Sequence, residues 1–168
     1  LQALDCYRGT GHRIDEGNML NTIASIYHEL GDTDRAIVNY EAAMNANAQL
    51  NRPDFDAITL ANVASLRAER GEFDTAIEIG ERALALCRMH AVGFLPEVLA
   101  ALAGAYGGRG EFDQARTLLN AALAMLDASS VSFDDAVRSS VELAFGRVEI
   151  SAKNDAEALS HFCRALGL

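Results

Sequence analysis

Three times in this chain a glycine followed by an acidic residue sits at the centre of one pattern of small residues: Gly31-Asp32, Gly71-Glu72 and Gly110-Glu111. Alanines lie seven residues before each glycine (Ala24, Ala64, Ala103), five after (Ala36, Ala76, Ala115) and twelve after (Ala43, Ala83, Ala122). A fourth, weaker copy centred on Lys153 gives Gly146, Ala158 and Ala165. Self-similarity at a nearly fixed period means that each unit is one small element unable to bury its apolar side alone, so the units must stack into a solenoid. Such a stack works as a binding surface. The spacing carries no information on what is bound.

Within a unit the apolar residues follow helical periodicity. Leu20, Ile23, Ile26, Tyr27 and Leu30 precede Gly31, and Ile37, Tyr40 and Met44 follow it, at spacings of three and four. The unit therefore reads as two antiparallel helices. The glycine ends the first, where a left-handed backbone is free of steric penalty. Asp34, Asp74 and Asp113 open the second, where a carboxylate caps free amides and meets the positive end of the dipole. Alanines mark close approach of helix axes, and Tyr27, Tyr40, Phe73, Phe112, Leu119 and Phe162 fill the space between.

The stretches from Gly71 to Ile77 and from Gly110 to Arg116 resemble the inter-helix turn of the tetratricopeptide repeat family. The resemblance covers nearly the whole chain and implies an all-α, right-handed superhelical solenoid of antiparallel helix pairs, about nine helices in total. Departures are visible. The family's repeat is about 34 residues long, whereas the centres here stand 40, 39 and 43 residues apart. Ala48, Arg88 and Asp127 replace the proline that commonly closes a unit, which predicts longer second helices. Gly80 stands where a large residue is expected, predicting looser packing in the second unit. Long repeats of this kind are similar to those of kinesin light chains and of bacterial regulators that couple an array to an output domain.

The helices are expected at roughly 1–8, 14–30, 33–50, 54–70, 73–90, 95–109, 112–127, 133–152 and 155–167, with Pro53 and Pro96 at helix starts. The whole of 1–168 reads as a single array. Residues 1–12 are expected to form the second helix of a truncated preceding repeat, and 13–52, 53–91, 92–131 and 132–168 repeats 1 to 4. Leu1 stands first, and Ala3 precedes Leu20 by the 17 residues that separate Ala43 from Leu60. The chain is thus expected to be a segment of a longer array, with a trimmed natural terminus as the alternative. Exposed array ends are a route to a homo-oligomer.

Composition narrows the partners. The formal net charge of −10 disfavours a nucleic-acid backbone as the main partner, although much of the acidity clusters at turns and helix starts. Cys6, Cys87 and Cys163 are far apart and suit free thiols in a reducing, cytoplasmic setting. No apolar run is long enough to span a bilayer, so no membrane is expected.

Chemistry is sparse. Cys87 and His90 stand three residues apart on one expected helix and could share a face, but no further ligand or orienting acid stands near them, and a buried thiol beside a helix-end histidine is the simpler reading. No metal, cofactor or catalytic residue is expected, and the chain is read as a non-enzyme. An inward pair of carboxylates, or a complete Cys/His site, would argue otherwise. Gly104, Gly107, Gly108 and Gly110 lack the strand and the Gly-Lys-Ser/Thr of a phosphate loop and suggest a thin, frayed helix end. His12 and His161 carry no signal, whereas His28 beside Glu29 is placed for partner contact.

In the resembled family the first helix of each unit lines a concave groove that takes peptides. Carried over by position, the groove would be lined by Asn18, Asn21, Thr22, Ser25, His28 and Glu29 from the first unit. The second would give Ile58, Ala61, Asn62, Ser65, Ala68 and Glu69. Glu97, Ala100, Ala101, Gly104, Gly107 and Gly108 would come from the third, and Ser140, Leu143, Ala144, Arg147, Ile150 and Ser151 from the fourth. Asn21 and Asn62 could hold a partner's backbone, and Arg147 is the lone cation. Only Asn62 matches the set with which family members grip a chaperone's terminal carboxylate, so that ligand is rejected. Glu29, Glu69 and Glu97 favour neutral or basic partners.

The expectation is a non-catalytic protein- or peptide-binding scaffold from a larger cytoplasmic, bacterial signalling protein. The alternative is a ligand-sensing or self-associating segment that controls a fused output domain.

Overall fold

A computed structural model describes residues 13–49, 52–128 and 135–167. The described residues form eight α-helices: α1 (Arg13–Glu29), α2 (Thr33–Gln49), α3 (Pro53–Glu69), α4 (Phe73–His90), α5 (Leu95–Arg109), α6 (Phe112–Ala128), α7 (Asp135–Ser151) and α8 (Asp155–Ala165). The helix expected over 1–8 lies outside the described residues. A short 3-10 turn, Val92–Phe94, joins α4 to α5 and was not foreseen. Each odd-numbered helix packs on the even-numbered helix after it, while α3 lies along α5 and α5 along α7. The fold is thus a solenoid of antiparallel helix pairs, with the first helices of successive pairs side by side.

The alanine pattern has the expected physical cause. Ala24, Ala36, Ala43, Ala64, Ala76, Ala83, Ala103, Ala115, Ala122 and Ala158 are all 0% exposed, which places them where helices touch and a longer side chain would push the axes apart. Tyr40 and Leu119 fill the spaces between.

One turn geometry recurs four times. Gly31, Gly71 and Gly110 take φ of 76°, 77° and 90°. After each, the next residue's N–H reaches back to the carbonyl five residues earlier: Asp32 to Tyr27, Glu72 to Arg67 and Glu111 to Tyr106. These are Schellman endings, which satisfy carbonyls that the helix leaves free. The fourth turn copies the bonding, with Asn154 N–H on Glu149 O at 2.9 Å, but places Lys153 at a φ of 61°. A side chain there is strained in a way the glycines are not.

Several expectations need correction. Asp34, Asp74 and Asp113 sit in the first turns of α2, α4 and α6 and face the dipole, but they do not cap by hydrogen bonding there. Asp74 instead meets Arg109 at 2.8 Å and Asp113 meets Arg116 at 3.4 Å. At α2 it is Asp32 that accepts a bond, from the Arg35 N–H at 3.2 Å. Gly80 does not loosen the second unit, because Leu102 occupies the space its side chain would take, with Cδ1 2.8 Å from a Cβ position. Nor does α5 fray: it stays helical to Arg109, and Gly107 and Gly108 are points of close approach by Val148 and Phe73.

Candidate functional site: a groove across α3, α5 and α7

The side-by-side first helices enclose a groove of about 440 Å³. From α3 it is lined by Ile58, Ala61, Asn62, Ser65, Ala68 and Glu69, and from α5 by Glu97, Ala100, Ala101, Gly104, Gly107 and Gly108. α7 contributes Ser140, Leu143, Ala144, Arg147, Val148 and Ser151, and Phe73 closes one edge. Phe73 and Val148 were missed by sequence reasoning. Both project towards glycines of α5, and only the contact, not the spacing, reveals it.

The floor is mostly small side chains and bare backbone, because α5 carries alanine or glycine on most of the face it turns to the groove. Its polar groups stand at the sides. Ser65 and Asn62 are half-buried on α3, and Arg147 is exposed on α7. Among the described residues Arg147 makes no ion pair. Glu97 lies in the first turn of α5 with its Oε2 buried and without a hydrogen-bond partner. Burial pushes its carboxyl above the usual carboxylate range, against an opposing bond from its own backbone N–H.

The first-unit candidates do not line this groove. They join α1 to α3 and to their own unit. His28 Nε2 and Glu69 Oε2 share a 2.6 Å hydrogen bond, and Asn62 Nδ2 donates to Asn21 Oδ1 at 3.4 Å. The Ser25 hydroxyl donates to Asn21 O at 3.1 Å and shares a 3.2 Å bond with the Tyr40 hydroxyl. Asn18 is half-buried, its carbonyl taken by the Thr22 hydroxyl at 2.9 Å, while Glu29 is exposed. Ile150 is also exposed and does not line the groove.

Cys87 is buried and donates to Ala91 O at 3.0 Å, whereas His90 is exposed. Burial, reinforced by the charge of Glu97, pushes the thiol up to about 11. A thiol held neutral in this way is a poor nucleophile. His161, which carried no sequence signal, turns out to be buried. Its Nδ1 lies 2.6 Å from Glu142 Oε2, and its ring stacks on Phe145 at 3.9 Å. Glu149, one helical face along α7, is also buried and receives Arg116 Nε at 2.6 Å, Arg116 Nη2 at 2.8 Å and Asn154 Nδ2 at 3.0 Å. The inward carboxylates that were not expected therefore exist, and each is held by side chains of the neighbouring helices. The hydrogen bond from Arg116 holds the Glu149 carboxyl below its usual range.

The described residues thus form an all-helical solenoid with a shallow groove along its first helices. Residues 15–89 match the tetratricopeptide repeat family, so the family resemblance read from the turns is borne out over that stretch. The chain is similar to response regulator aspartate phosphatase H of Bacillus subtilis (strain 168), 31% identical over 104 residues, which is 61% of this chain and 28% of that protein. It therefore spans less than a third of the relative's length. Its fold is similar to that of BtubC (BKLC) from P. vanneervenii, with a TM-score of 0.66 and 22% identity over 89% of this chain and 61% of the other. Among the described residues no helix is long and apolar enough to cross a membrane.

Proposed function

We propose that this chain is a non-catalytic protein-binding module whose partner lies in the groove across α3, α5 and α7. The observation that carries the reading is the lining itself: the first helices of successive pairs turn alanines, glycines and a few polar side chains toward one common space. A surface of that kind offers shape and hydrogen bonds, with no activated nucleophile on it. The repeat divisions 13–52, 53–91, 92–131 and 132–168 belong to the same proposal, as does a place within a larger regulatory protein. The latter is supported by the relative's name and greater length. The acidic balance of the chain favours a neutral or basic partner.

Affinity capture from lysate of the source organism tests it, with the intact chain beside a folded Ser65→Arg/Gly104→Leu version in which the groove is filled. A protein held by the first and lost by the second is the expected result. A partner held equally by both would move the site to the outer helices or the ends.

A further inference from the structure

Five glycines within the described α-helices have their side-chain space occupied by a neighbour. A Cβ at Gly17 would meet Asn47 Oδ1 at 2.2 Å, at Gly80 Leu102 Cδ1 at 2.8 Å, at Gly107 Val148 Cγ2 at 2.8 Å, at Gly108 Phe73 Cε1 at 2.2 Å and at Gly146 Phe162 Cε1 at 2.4 Å. Packing accounts for all five. Gly104 is different. It lies mid-helix in α5, is exposed, keeps an ordinary helical φ, and a Cβ there would meet nothing within 4 Å. An alanine would suit the helix better, so the fold supplies no reason for a glycine at this place.

Glu97 sets the same puzzle with charge. It lies on the same helix and lines the same groove, with one carboxylate oxygen buried and unpartnered. A buried acceptor without a donor is unfavourable to the fold. Among the described residues Arg147 of α7 lines the same groove without an ion pair, while Arg109, Arg67 and His28 are engaged with Asp74, Glu72 and Glu69. Two residues that the fold would not choose, on one face of one helix, have a common explanation in a ligand that meets both.

We propose that the groove takes a protein segment carrying a lysine or arginine flanked by small or apolar residues, the cation meeting Glu97 and the segment's main chain lying directly on the bare backbone at Gly104. This rests on the groove being the binding site. Glu97 supplies the charge complementarity, and Ala61, Ala100, Ala101 and Ala144 supply the floor for the apolar flanks.

The test uses a displayed library of random 16-residue peptides, selected on the intact chain, with each binder then measured on Gly104→Leu and on Glu97→Gln. Expected binders share a lysine or arginine and weaken about tenfold or more on Glu97→Gln and on Gly104→Leu. A Glu97→Lys protein should regain the binder in which that basic residue is changed to glutamate. Both substitutions should leave the melting temperature unchanged or higher, which separates lost binding from lost fold. Binders that fail on Gly104→Leu yet ignore Glu97→Gln would keep the groove and overturn the basic-segment proposal. Binders indifferent to Gly104→Leu would overturn the groove reading itself. A selection that yields no binder counts against both.

Discussion

Gly104 and Gly107 stand three residues apart on α5 and have opposite reasons for lacking a side chain. Gly107 is buried, with Val148 of α7 pressed onto it, so its bareness lets two repeats dock. Gly104 faces open groove. The first is a requirement of the fold, and the second is explained, on the proposal above, by a segment lying against it. Adding the missing atom and asking what it meets separates the glycine the fold needs from the one it does not, and only the proposed ligand gives the second a role.

The comparison breaks most visibly at Gly107. A leucine there would wedge α5 from α7, and we expect a loss of about 3 kcal/mol in chemical denaturation, the upper end of overpacking costs. A neutral result would mean that the α5–α7 contact is loose and that Gly107 is no different from Gly104.

The same two repeats are joined a second way, by Arg116 of α6 on the buried Glu149 of α7. Breaking a fully buried pair costs about 3–5 kcal/mol, but the Arg116 side chain is 34% exposed and solvent screens part of that, so Arg116→Ala is expected to cost about 2 kcal/mol. The pH dependence has a definite sign. Because Arg116 holds the Glu149 carboxyl low, its contribution is present above the ordinary carboxylate pKa and is lost as pH falls through the depressed folded value. Arg116→Ala should therefore flatten the acid limb of a stability–pH curve. An unchanged limb would show that the pair does not hold the fourth unit.

At the turns the contrast runs the other way. Lys153 occupies a left-handed position that glycine fills in the other three, so Lys153→Gly should stabilise by about 0.5–1 kcal/mol, read as a raised denaturation midpoint. The smallest effect belongs to Gly104→Ala, expected to stabilise by about 0.5 kcal/mol through helix propensity alone. A destabilised Gly104→Ala would mean that the fold needs this glycine after all, and the contrast with Gly107 would dissolve.

The helices, turns and alanine contacts were legible in the chain because each depends on local chemistry repeated at a fixed spacing. Gly31, Gly71 and Gly110 marked helix ends by their backbone freedom, and the buried alanines marked contacts by their size. The groove face of α3, α5 and α7 came from the family resemblance, carried over by position. What escaped the reading depends on partners distant in sequence. His161 shows no signal until Glu142 and Phe145 surround it. Asn21 and His28 looked available because nothing local reveals Asn62 and Glu69 reaching across to them. The capping role given to Asp74 failed for a like reason, since Arg109 of the next repeat claims it.

The central claim is that partners sit on the row of first helices. Hydrogen–deuterium exchange of the chain with and without a captured partner tests it most directly. The account predicts slowed exchange along α3, α5 and α7, strongest around Gly104, with α2, α4 and α6 unchanged. Slowing confined to α2, α4 and α6 would contradict it.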